Sequence, residues 1–306
     1  MKVLFIDTVH PILETKLSEF GYNCDTAYNK EKHEIKKIIK NYEGIIIRSR
    51  FDIDRKFIDK ASNLKFIARA GSGLENIDTS YLATKQIKCY NAGDGNKQAV
   101  AEHALGMLLS LFNNLRVSDQ EIREGKWNRE KNRGIEIYGK KIGIIGYGKT
   151  GSTFANLLNG FGVKLLIYDK YLKKYPNKYS MEEIFKEADI ISLHVPLTDE
   201  TKYLINKTFI NRFKKPIYLI NTARGKCVKT KDLVNALKNK KINGACLDVL
   251  EYEKESFEEI IQYDTNLNYL INSNKVILSP HIAGWTIESN IKIAKILLKK
   301  IISDFD

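Results

Sequence analysis

Three short segments in the second half of the chain carry side chains suited to acid–base chemistry and anion binding. They are residues 221–225 (NTARG), 247–253 (LDVLEYE) and 279–284 (SPHIAG). Each completes or follows an apolar run that predicts a buried strand, and ligands bind at the carboxyl ends of strands in open α/β sheets. Arg224, Glu253 and His281 could there bind a carboxylate, form an acid–base pair and move a proton.

A glycine-rich stretch fits two phosphate-binding patterns. Residues 143–150 (GIIGYGKT) match the P-loop of nucleoside triphosphatases, and residues 146–151 (GYGKTG) match the dinucleotide fingerprint G-x-G-x-x-G. A P-loop would begin at Gly143 and reduce the predicted strand 142–145 to almost nothing, whereas the fingerprint leaves that strand intact. The spacing therefore favours a dinucleotide site, with a nucleoside triphosphatase as the alternative.

The next predicted strand ends in Asp169, close to the ~20 residues after the first glycine where dinucleotide folds place the acid that binds the ribose. A carboxylate there repels the 2′-phosphate of NADP, so NAD is the expected cofactor, although the adjacent Lys170 weakens this preference. In this geometry the turn falls at Gly146, the pyrophosphate approaches Gly148, and Gly151 lets the helix pack on the strand.

Apolar runs alternate with helical patterns throughout the chain, as is typical of parallel sheets covered by helices. Six runs predict a doubly wound, Rossmann-type sheet: 142–145, 163–168, 190–194, 217–220, 245–249 and 276–278. Three earlier runs, 3–6, 44–47 and 64–68, predict a smaller flavodoxin-like unit. The expected fold is α/β with two Rossmann-like domains: a substrate domain of residues 1–94 and 284–306, and an NAD-binding domain of residues 95–283.

Two helices stand out in this pattern. Residues 97–115 are apolar around nearly the whole circumference, which predicts a helix buried between elements or domains. The last ~20 residues form a Lys/Ile amphipathic pattern, which predicts a helix that packs on the substrate domain. Among the histidines, His194 ends a predicted strand and is expected to be structural, and His103 is expected to be a helix or surface residue. Trp127 is expected in a core or an interface.

Composition limits the class of protein. The chain has 306 residues, of which 43% are hydrophobic and 28% charged, and this fits a globular protein of about two domains. Its net charge of +13 could indicate nucleic-acid or membrane binding, but lysine on a solvated surface is the favoured explanation. Its four cysteines include no CxxC pair, and no apolar run approaches ~18 residues. We expect a cytoplasmic protein without a metal, a nucleic-acid partner or a membrane partner.

With these motifs in this order, the chain resembles the D-isomer-specific 2-hydroxyacid dehydrogenases. The resemblance covers residues 146–284 and includes HVPLT at 194–198. Three further segments extend it back to residue 48 and make it closest to the phosphoglycerate dehydrogenase branch of the family. They are residues 48–50 (RSR), 69–73 (RAGSG, with Asn76 and Asp78) and 125–129 (GKWNR).

The resemblance implies an NAD-dependent transfer of hydride from C2 of a 2-hydroxy acid. His281 would be the acid–base group, Glu253 would favour its protonated form, and Arg224 would bind the substrate carboxylate or the C2 oxygen. The branch implies oxidation of 3-phospho-D-glycerate to 3-phosphohydroxypyruvate, a step of serine biosynthesis. Two domains would close over the cleft that holds the substrate. The alternatives are an enzyme of an unphosphorylated 2-hydroxy acid and, more remotely, an NADH-sensing regulator.

The resemblance also implies the binding residues. The substrate would contact Arg48, Arg69, Ser72, Gly73, Arg129, Arg224 and His281. The cofactor would contact Ser72, Gly146, Gly148, Lys149, Thr150, Gly151, Asp169, Val195, Thr222, Arg224, Asp248, His281 and Gly284. Asp248 is expected near the nicotinamide amide. A homodimer is expected. Arg129 would reach the 3-phosphate, either within its own chain or from the neighbouring subunit.

Two departures from the family pattern concern the loop before His281. Lys254 follows Glu253, where the family usually has proline, and an acidic, aromatic insertion around 255–270 lengthens the interval to His281. Both bear on the geometry of the loop more than on the chemistry.

Overall fold

The computed structural model describes residues 1–254, 260 and 263–305 of the chain. Residues 255–259, 261–262 and 306, which belong to the predicted insertion and to the end of the chain, lie outside the described residues. The described residues form two all-parallel sheets, and this confirms the predicted α/β class. They divide into two compact units, which are residues 1–97, 254 and 285–305 (unit 1) and residues 98–253, 260 and 263–284 (unit 2).

Unit 1 begins with five strands and the helices that connect them. The elements are β1 (Lys2–Phe5), α1 (Ile12–Glu19), β2 (Asn23–Thr26), α2 (Lys32–Ile38), β3 (Gly44–Ile47), α3 (Arg55–Ile58), β4 (Phe66–Arg69), α4 (Thr79–Thr84), β5 (Lys88–Asn91) and α5 (Gly93–Phe112). The division between the units falls within α5. The strand order β2-β1-β3-β4-β5 is the flavodoxin-like order that was predicted, and its direction reverses at β1 and β3.

Unit 2 contains the six-stranded sheet. Its elements are α6 (Leu115–Arg123), β6 (Lys141–Ile145), α7 (Lys149–Leu158), β7 (Lys164–Tyr168), α8 (Met181–Glu187), β8 (Ile190–Leu193), α9 (Lys207–Asn211), β9 (Ile217–Asn221), α10 (Thr230–Lys238), β10 (Ile242–Leu247), α11 (Thr265–Asn272) and β11 (Val276–Leu278). The strand order is β11-β10-β9-β8-β6-β7, so the direction reverses at β6 and β8. Ligands bind at such a switch point in open α/β sheets.

Both sheets are covered on two faces, which explains their continuous apolar strands. In β6, Ile145 packs in one buried cluster and its neighbour Ile144 packs in the cluster on the opposite face. Adjacent residues of β1 divide in the same way between the two clusters of unit 1, because successive side chains of a strand point to opposite faces. A last helix, α12 (Ile287–Phe305), packs Ile293, Leu297 and Ile301 beside α1 in unit 1.

The long helix differs from its prediction. The predicted helix 97–115 begins earlier, at Gly93, and ends at Phe112, and α6 starts as a separate helix at Leu115. Ala101, Ala104 and Leu108 are fully buried, but Glu102 and Gly106 on the other side are exposed. Within one chain, α5 is therefore buried on one side and exposed on the other. Within the described part of the chain, no helix combines the length and apolar character that a membrane span requires.

Candidate active site

The predicted acid–base residues are in contact. Nδ1 of His281 lies 2.8 Å from Oε2 of Glu253, and the two side chains are 23% and 12% exposed. Oε1 of Glu253 accepts a hydrogen bond from the backbone N–H of Leu250. The carboxylate is therefore fixed on both oxygens, and it favours a proton on Nδ1 of the imidazole.

Three adjacent parallel strands bring the catalytic candidates to one edge of the sheet. Arg224 follows β9, Glu253 follows β10, and His281 follows β11. The turn before Arg224 depends on the buried Asn221, whose side chain accepts from the N–H of Ala223 and donates to the carbonyl of Arg224. Nη1 of Arg224 donates to the carbonyl of Ala223 at 2.7 Å. The elements that carry the three residues thus end together, as the motif positions predict.

Asp248 organises the loop that carries His281. It is 1% exposed, and its Oδ1 accepts from the hydroxyl of Ser279 at 2.6 Å and from the N–H of Ile282 at 2.9 Å. Its Oδ2 accepts from the N–H of Ala283 at 2.9 Å, and its carbonyl accepts from the N–H of His281. The expected contact of Asp248 with the nicotinamide stays a prediction. These hydrogen bonds give the residue a definite positioning role.

His103 joins this network, which the sequence did not indicate. Its Nε2 lies 2.8 Å from the hydroxyl of Ser279 and 3.5 Å from Oδ1 of Asp248. Because the one hydroxyl proton of Ser279 is directed at Asp248, Nε2 of His103 is the donor to Ser279. The expectation that His103 is only a helix or surface residue was incomplete. Sequence reasoning missed it because this histidine lies 176 positions from Ser279.

The glycine loop after β6 has the geometry of a dinucleotide site. Gly146 has φ +93°, and a Cβ there would lie 2.5 Å from the carbonyl oxygen of His194. A Cβ on Gly151 would lie 2.0 Å from the carbonyl oxygen of Gly146, so the helix and the loop approach as closely as predicted. No described atom lies within 4 Å of the Cβ position of Gly148, at the start of α7. This leaves the room that a pyrophosphate needs at a helix N-terminus.

A cavity of about 480 Å³ in unit 2 adjoins this loop. Four of the predicted cofactor residues line it, namely Gly146, Gly148, Asp169 and Val195. Asp169 accepts hydrogen bonds from the N–H groups of Tyr147, Tyr171 and Leu172 at 2.7, 2.9 and 2.9 Å. Burial alone would raise the pKa of Asp169, but these backbone hydrogen bonds lower it below its usual value. An ionised acid therefore stands where the ribose of a dinucleotide would bind.

The residues that follow β8 and β9 complete this region. The hydroxyl oxygen of Thr222 is the one buried side-chain polar atom, among the described residues, that lacks a hydrogen-bond partner. Such an atom fits a site whose ligand supplies the partner. His194 is buried, its Nε2 lies 2.8 Å from the hydroxyl of Ser192, and burial lowers its pKa to about 4. These are the contacts of a neutral, structural histidine.

The predicted substrate-binding arginines of unit 1 lie at the ends of two adjacent strands, since Arg48 follows β3 and Arg69 ends β4. The guanidinium of Arg48 lies 4.2 Å from the ring centroid of Trp285. Nε of Arg69 donates to the carbonyl of Arg48 at 3.1 Å. Asp7, which the sequence did not single out, accepts from the N–H groups of residues 48–50. The guanidinium of Arg50 donates to backbone carbonyls, as in a structural role.

Two further predicted substrate residues have different surroundings. The hydroxyl of Ser72 donates to Oδ1 of Asn96 at 2.6 Å, and its carbonyl accepts from Asn91 at 2.7 Å. Arg129 is exposed. The segment around it is hydrogen-bonded to Glu121, whose carboxylate accepts from Asn128, Lys131 and Asn132. The hydrogen bond from Lys131, with those from the two asparagines, lowers the pKa of Glu121 to about 2. The substrate contacts of Ser72, Gly73 and Arg129 stay predictions.

A dinucleotide loop lies at the switch point of the sheet, and a histidine–carboxylate pair follows two other strands of the same sheet. This combination is that of an NAD-binding oxidoreductase. The sequence profile of the D-isomer specific 2-hydroxyacid dehydrogenase NAD binding domain matches residues 105–283. The chain therefore belongs to the D-isomer-specific 2-hydroxyacid dehydrogenase family, and its cofactor is the NAD of that family. No group of three or more His, Cys, Asp or Glu side chains in the described ranges is arranged to hold a metal ion.

Relatives of known activity differ in substrate. The chain is 34% identical to hydroxypyruvate reductase from Thermotoga maritima over 91% of this chain and 90% of that protein. It is 33% identical to D-3-phosphoglycerate dehydrogenase from Methanocaldococcus jannaschii over 98% of this chain, and it spans 57% of that relative's length. The crystal structure of D-lactate dehydrogenase from Aquifex aeolicus, complexed with NAD and lactic acid, superposes with a TM-score of 0.84 at 27% identity, covering 99% and 95% of the two chains.

Proposed function

We propose that the chain oxidises the C2 hydroxyl of a D-2-hydroxy acid with NAD, and that 3-phospho-D-glycerate, giving 3-phosphohydroxypyruvate, is its preferred substrate. The observation that carries the reaction type is the 2.8 Å contact between Nδ1 of His281 and Glu253. This contact lies at the edge of the sheet whose switch point carries the dinucleotide loop. A histidine held in this way can take and return one proton at its other ring nitrogen.

In this mechanism His281 Nε2 takes the proton of the C2 hydroxyl, and Glu253 stabilises the imidazolium that forms. The guanidinium of Arg224 binds the substrate carboxylate through charge-assisted hydrogen bonds and orients C2. The chemistry that NAD supplies when bound is acceptance of the hydride from C2. Asp248 and Ser279 hold the loop of His281, so that the imidazole needs little reorganisation during the reaction.

The choice of a phosphorylated substrate depends on the arginines of unit 1. Arg48 and Arg69 are linked by the hydrogen bond from Nε of Arg69 to the carbonyl of Arg48, so the two side chains start from neighbouring positions. Guanidinium groups bind phosphate in two-point contacts. An unphosphorylated substrate is the second candidate, because Trp285 already covers one face of the Arg48 guanidinium and because the hydroxypyruvate reductase relative is matched over nearly its full length.

The test compares substrates within one variant. Arg48→Ala should raise KM for 3-phosphoglycerate about tenfold or more, because the variant loses at least one charged hydrogen bond to the phosphate. KM for D-glycerate should change little, because it has no phosphate. Arg55→Ala is the matched control, since Arg55 is an exposed arginine of the same unit that pairs with Asp78. Equal changes in KM for both substrates, or turnover with glycerate or hydroxypyruvate alone, would favour the unphosphorylated substrate.

We also propose a homodimer formed through unit 2. Its support is a group of exposed apolar side chains on α6 and the segment after it, namely Leu115, Ile122, Trp127, Ile135 and Tyr138. Trp127 is 79% exposed, so it does not belong to the core of its own chain. Light scattering should give twice the chain mass, and Trp127→Asp should shift the mass toward that of one chain. A wild-type mass of one chain would refute the dimer.

A further inference from the structure

Three polar side chains that line the unit 2 cavity, Lys170, Tyr171 and Glu200, contact one another next to Asp169. Nζ of Lys170 lies 2.7 Å from Oε1 of Glu200, and the hydroxyl of Tyr171 donates to Oε2 of Glu200 at 2.9 Å. Lys170 and Tyr171 follow β7, whereas Glu200 belongs to the segment after β8. Glu200 therefore connects two segments at the edge of the cavity that they line together.

The position of Lys170 gives this contact a consequence for the cofactor. Lys170 directly follows the acid expected to bind the ribose hydroxyls, so its ammonium group is the nearest cation in sequence to the ribose site. An ammonium there would favour the 2′-phosphate of NADP. Its pairing with Glu200 directs that charge to a carboxylate instead.

The sum of charges points the same way. The charges of Asp169 and Lys170 cancel. Glu200 therefore gives Asp169, Lys170 and Glu200 together a net charge that is negative at neutral pH, and this charge repels a dianionic phosphate. The hydrogen bonds to Lys170 and Tyr171 lower the pKa of Glu200, so its charge is retained. Arg212 is the other cation that lines the cavity, and it lies 2.7 Å from Glu182.

We propose that Glu200 is a specificity-determining residue that selects NAD over NADP by pairing with Lys170. The carboxylate engages the one cation next to Asp169 and adds a second negative charge on the rim of the ribose site. This inference rests on the proposed function only in that the chain binds a nicotinamide dinucleotide. It concerns the choice between the two dinucleotides and is independent of the 2-hydroxy acid.

The experiment measures binding without substrate. NADH and NADPH are titrated into the full chain, and the nicotinamide fluorescence gives a dissociation constant for each. Glu200→Gln removes the charge and keeps the size, and Glu200 is half exposed in its ion pair, so the fold should tolerate the change. The affinity for NADPH should rise about tenfold relative to that for NADH, because Lys170 gains a phosphate partner and loses only a weak, exposed ion pair.

Two further variants separate this explanation from a general change in charge. In Glu200→Gln with Lys170→Met, the gain in NADPH affinity should disappear. Glu182→Gln is the matched control, because it removes the partner of Arg212 and leaves Lys170 paired. It should leave the ratio of the two affinities within twofold of wild type.

The outcomes are distinct. A ratio that stays within twofold of wild type in Glu200→Gln, a gain that survives Lys170→Met, or an equal gain in Glu182→Gln would each overturn the role of Glu200 while dinucleotide binding stands. A wild-type chain that binds neither NADH nor NADPH would overturn the proposed function, and this inference with it.

Discussion

Replacing Glu253 with glutamine tests the histidine–carboxylate pair with a change of almost no volume. In the structure one oxygen of Glu253 accepts from the N–H of Leu250, and the other lies 2.8 Å from Nδ1 of His281. A glutamine must keep its carbonyl oxygen toward Leu250, because an amide NH₂ cannot accept a hydrogen bond from an N–H group. The NH₂ group then faces Nδ1 and donates to it, so the neutral imidazole carries its proton on Nε2. That nitrogen can no longer take the proton of the substrate hydroxyl.

The expected loss follows from two effects that act together. The glutamine removes a charge-assisted hydrogen bond to the imidazolium, worth about 1.5–3 kcal/mol at a mostly buried site. At about 1.4 kcal/mol per factor of ten, this effect alone slows the reaction roughly 10- to 150-fold. The wrong tautomer adds to it, so we expect kcat for oxidation of the 2-hydroxy acid to fall at least ~100-fold.

The assay is the initial rate of NADH formation under saturating NAD, with NADH binding measured in parallel by fluorescence. Glu253→Asp keeps the charge with a shorter reach and should lie between the wild type and Glu253→Gln. Glu251→Gln is the matched control, since Glu251 makes a comparable hydrogen bond to the N–H of Thr230 at 2.8 Å. A kcat for Glu253→Gln within threefold of wild type would refute the role given to the pair.

Two further predictions concern the dinucleotide loop and its support. Gly148→Ala should leave the free energy of unfolding unchanged in urea titrations but weaken NADH binding, because its side chain meets no described atom and occupies the pyrophosphate space. Gly151→Ala should destabilise the fold by about 1–3 kcal/mol, because its Cβ would lie 2.0 Å from a backbone oxygen. A larger loss of stability in Gly148→Ala than in Gly151→Ala would contradict this geometry. The pKa of His194 falls to about 4 in the fold, so the unfolded chain takes up its proton first as the pH falls below about 6.5. The free energy of unfolding of wild type should therefore fall by about 2.5 kcal/mol more than that of His194→Gln between pH 7 and pH 4.5. An equal fall in the two proteins would refute the neutral histidine.

Strands that carry a continuous apolar run were predictable from the sequence, and strands without such a run were not. β3 (GIII), inside its sheet, and β11 (VIL), at an edge of the other sheet, both have the predicted limits, because each is an apolar run between polar residues. β2 (NCDT) and β5 (KCYN) were missed, because these two edge strands of unit 1 are half exposed and show no apolar run.

Motifs identified the candidate site residues, but the partners of these residues depend on tertiary structure. The short sequences around Arg224, Glu253 and His281 are distinctive, and the strand order brings their ends together. His103 has no such signal, because α5 alone decides that it meets Ser279. The pairing of Glu200 with Lys170 is equally invisible, since charged residues are common in loops and only the fold brings these two together.

Two carboxylates, Asp248 and Glu253, follow β10 within six residues of each other, and their different surroundings indicate different roles. Asp248 is fully buried and accepts hydrogen bonds from a hydroxyl and two backbone N–H groups of the 279–283 segment. Such a group orients the backbone that carries His281. Glu253 is less buried and contacts the imidazole itself, so its charge would act at the site of the proposed proton transfer. The position of the His281 loop and the contact at its imidazole are therefore set by separate acids. Substitutions at the two sites should affect different steps: at Asp248 the geometry of the loop, and at Glu253 the proposed proton transfer.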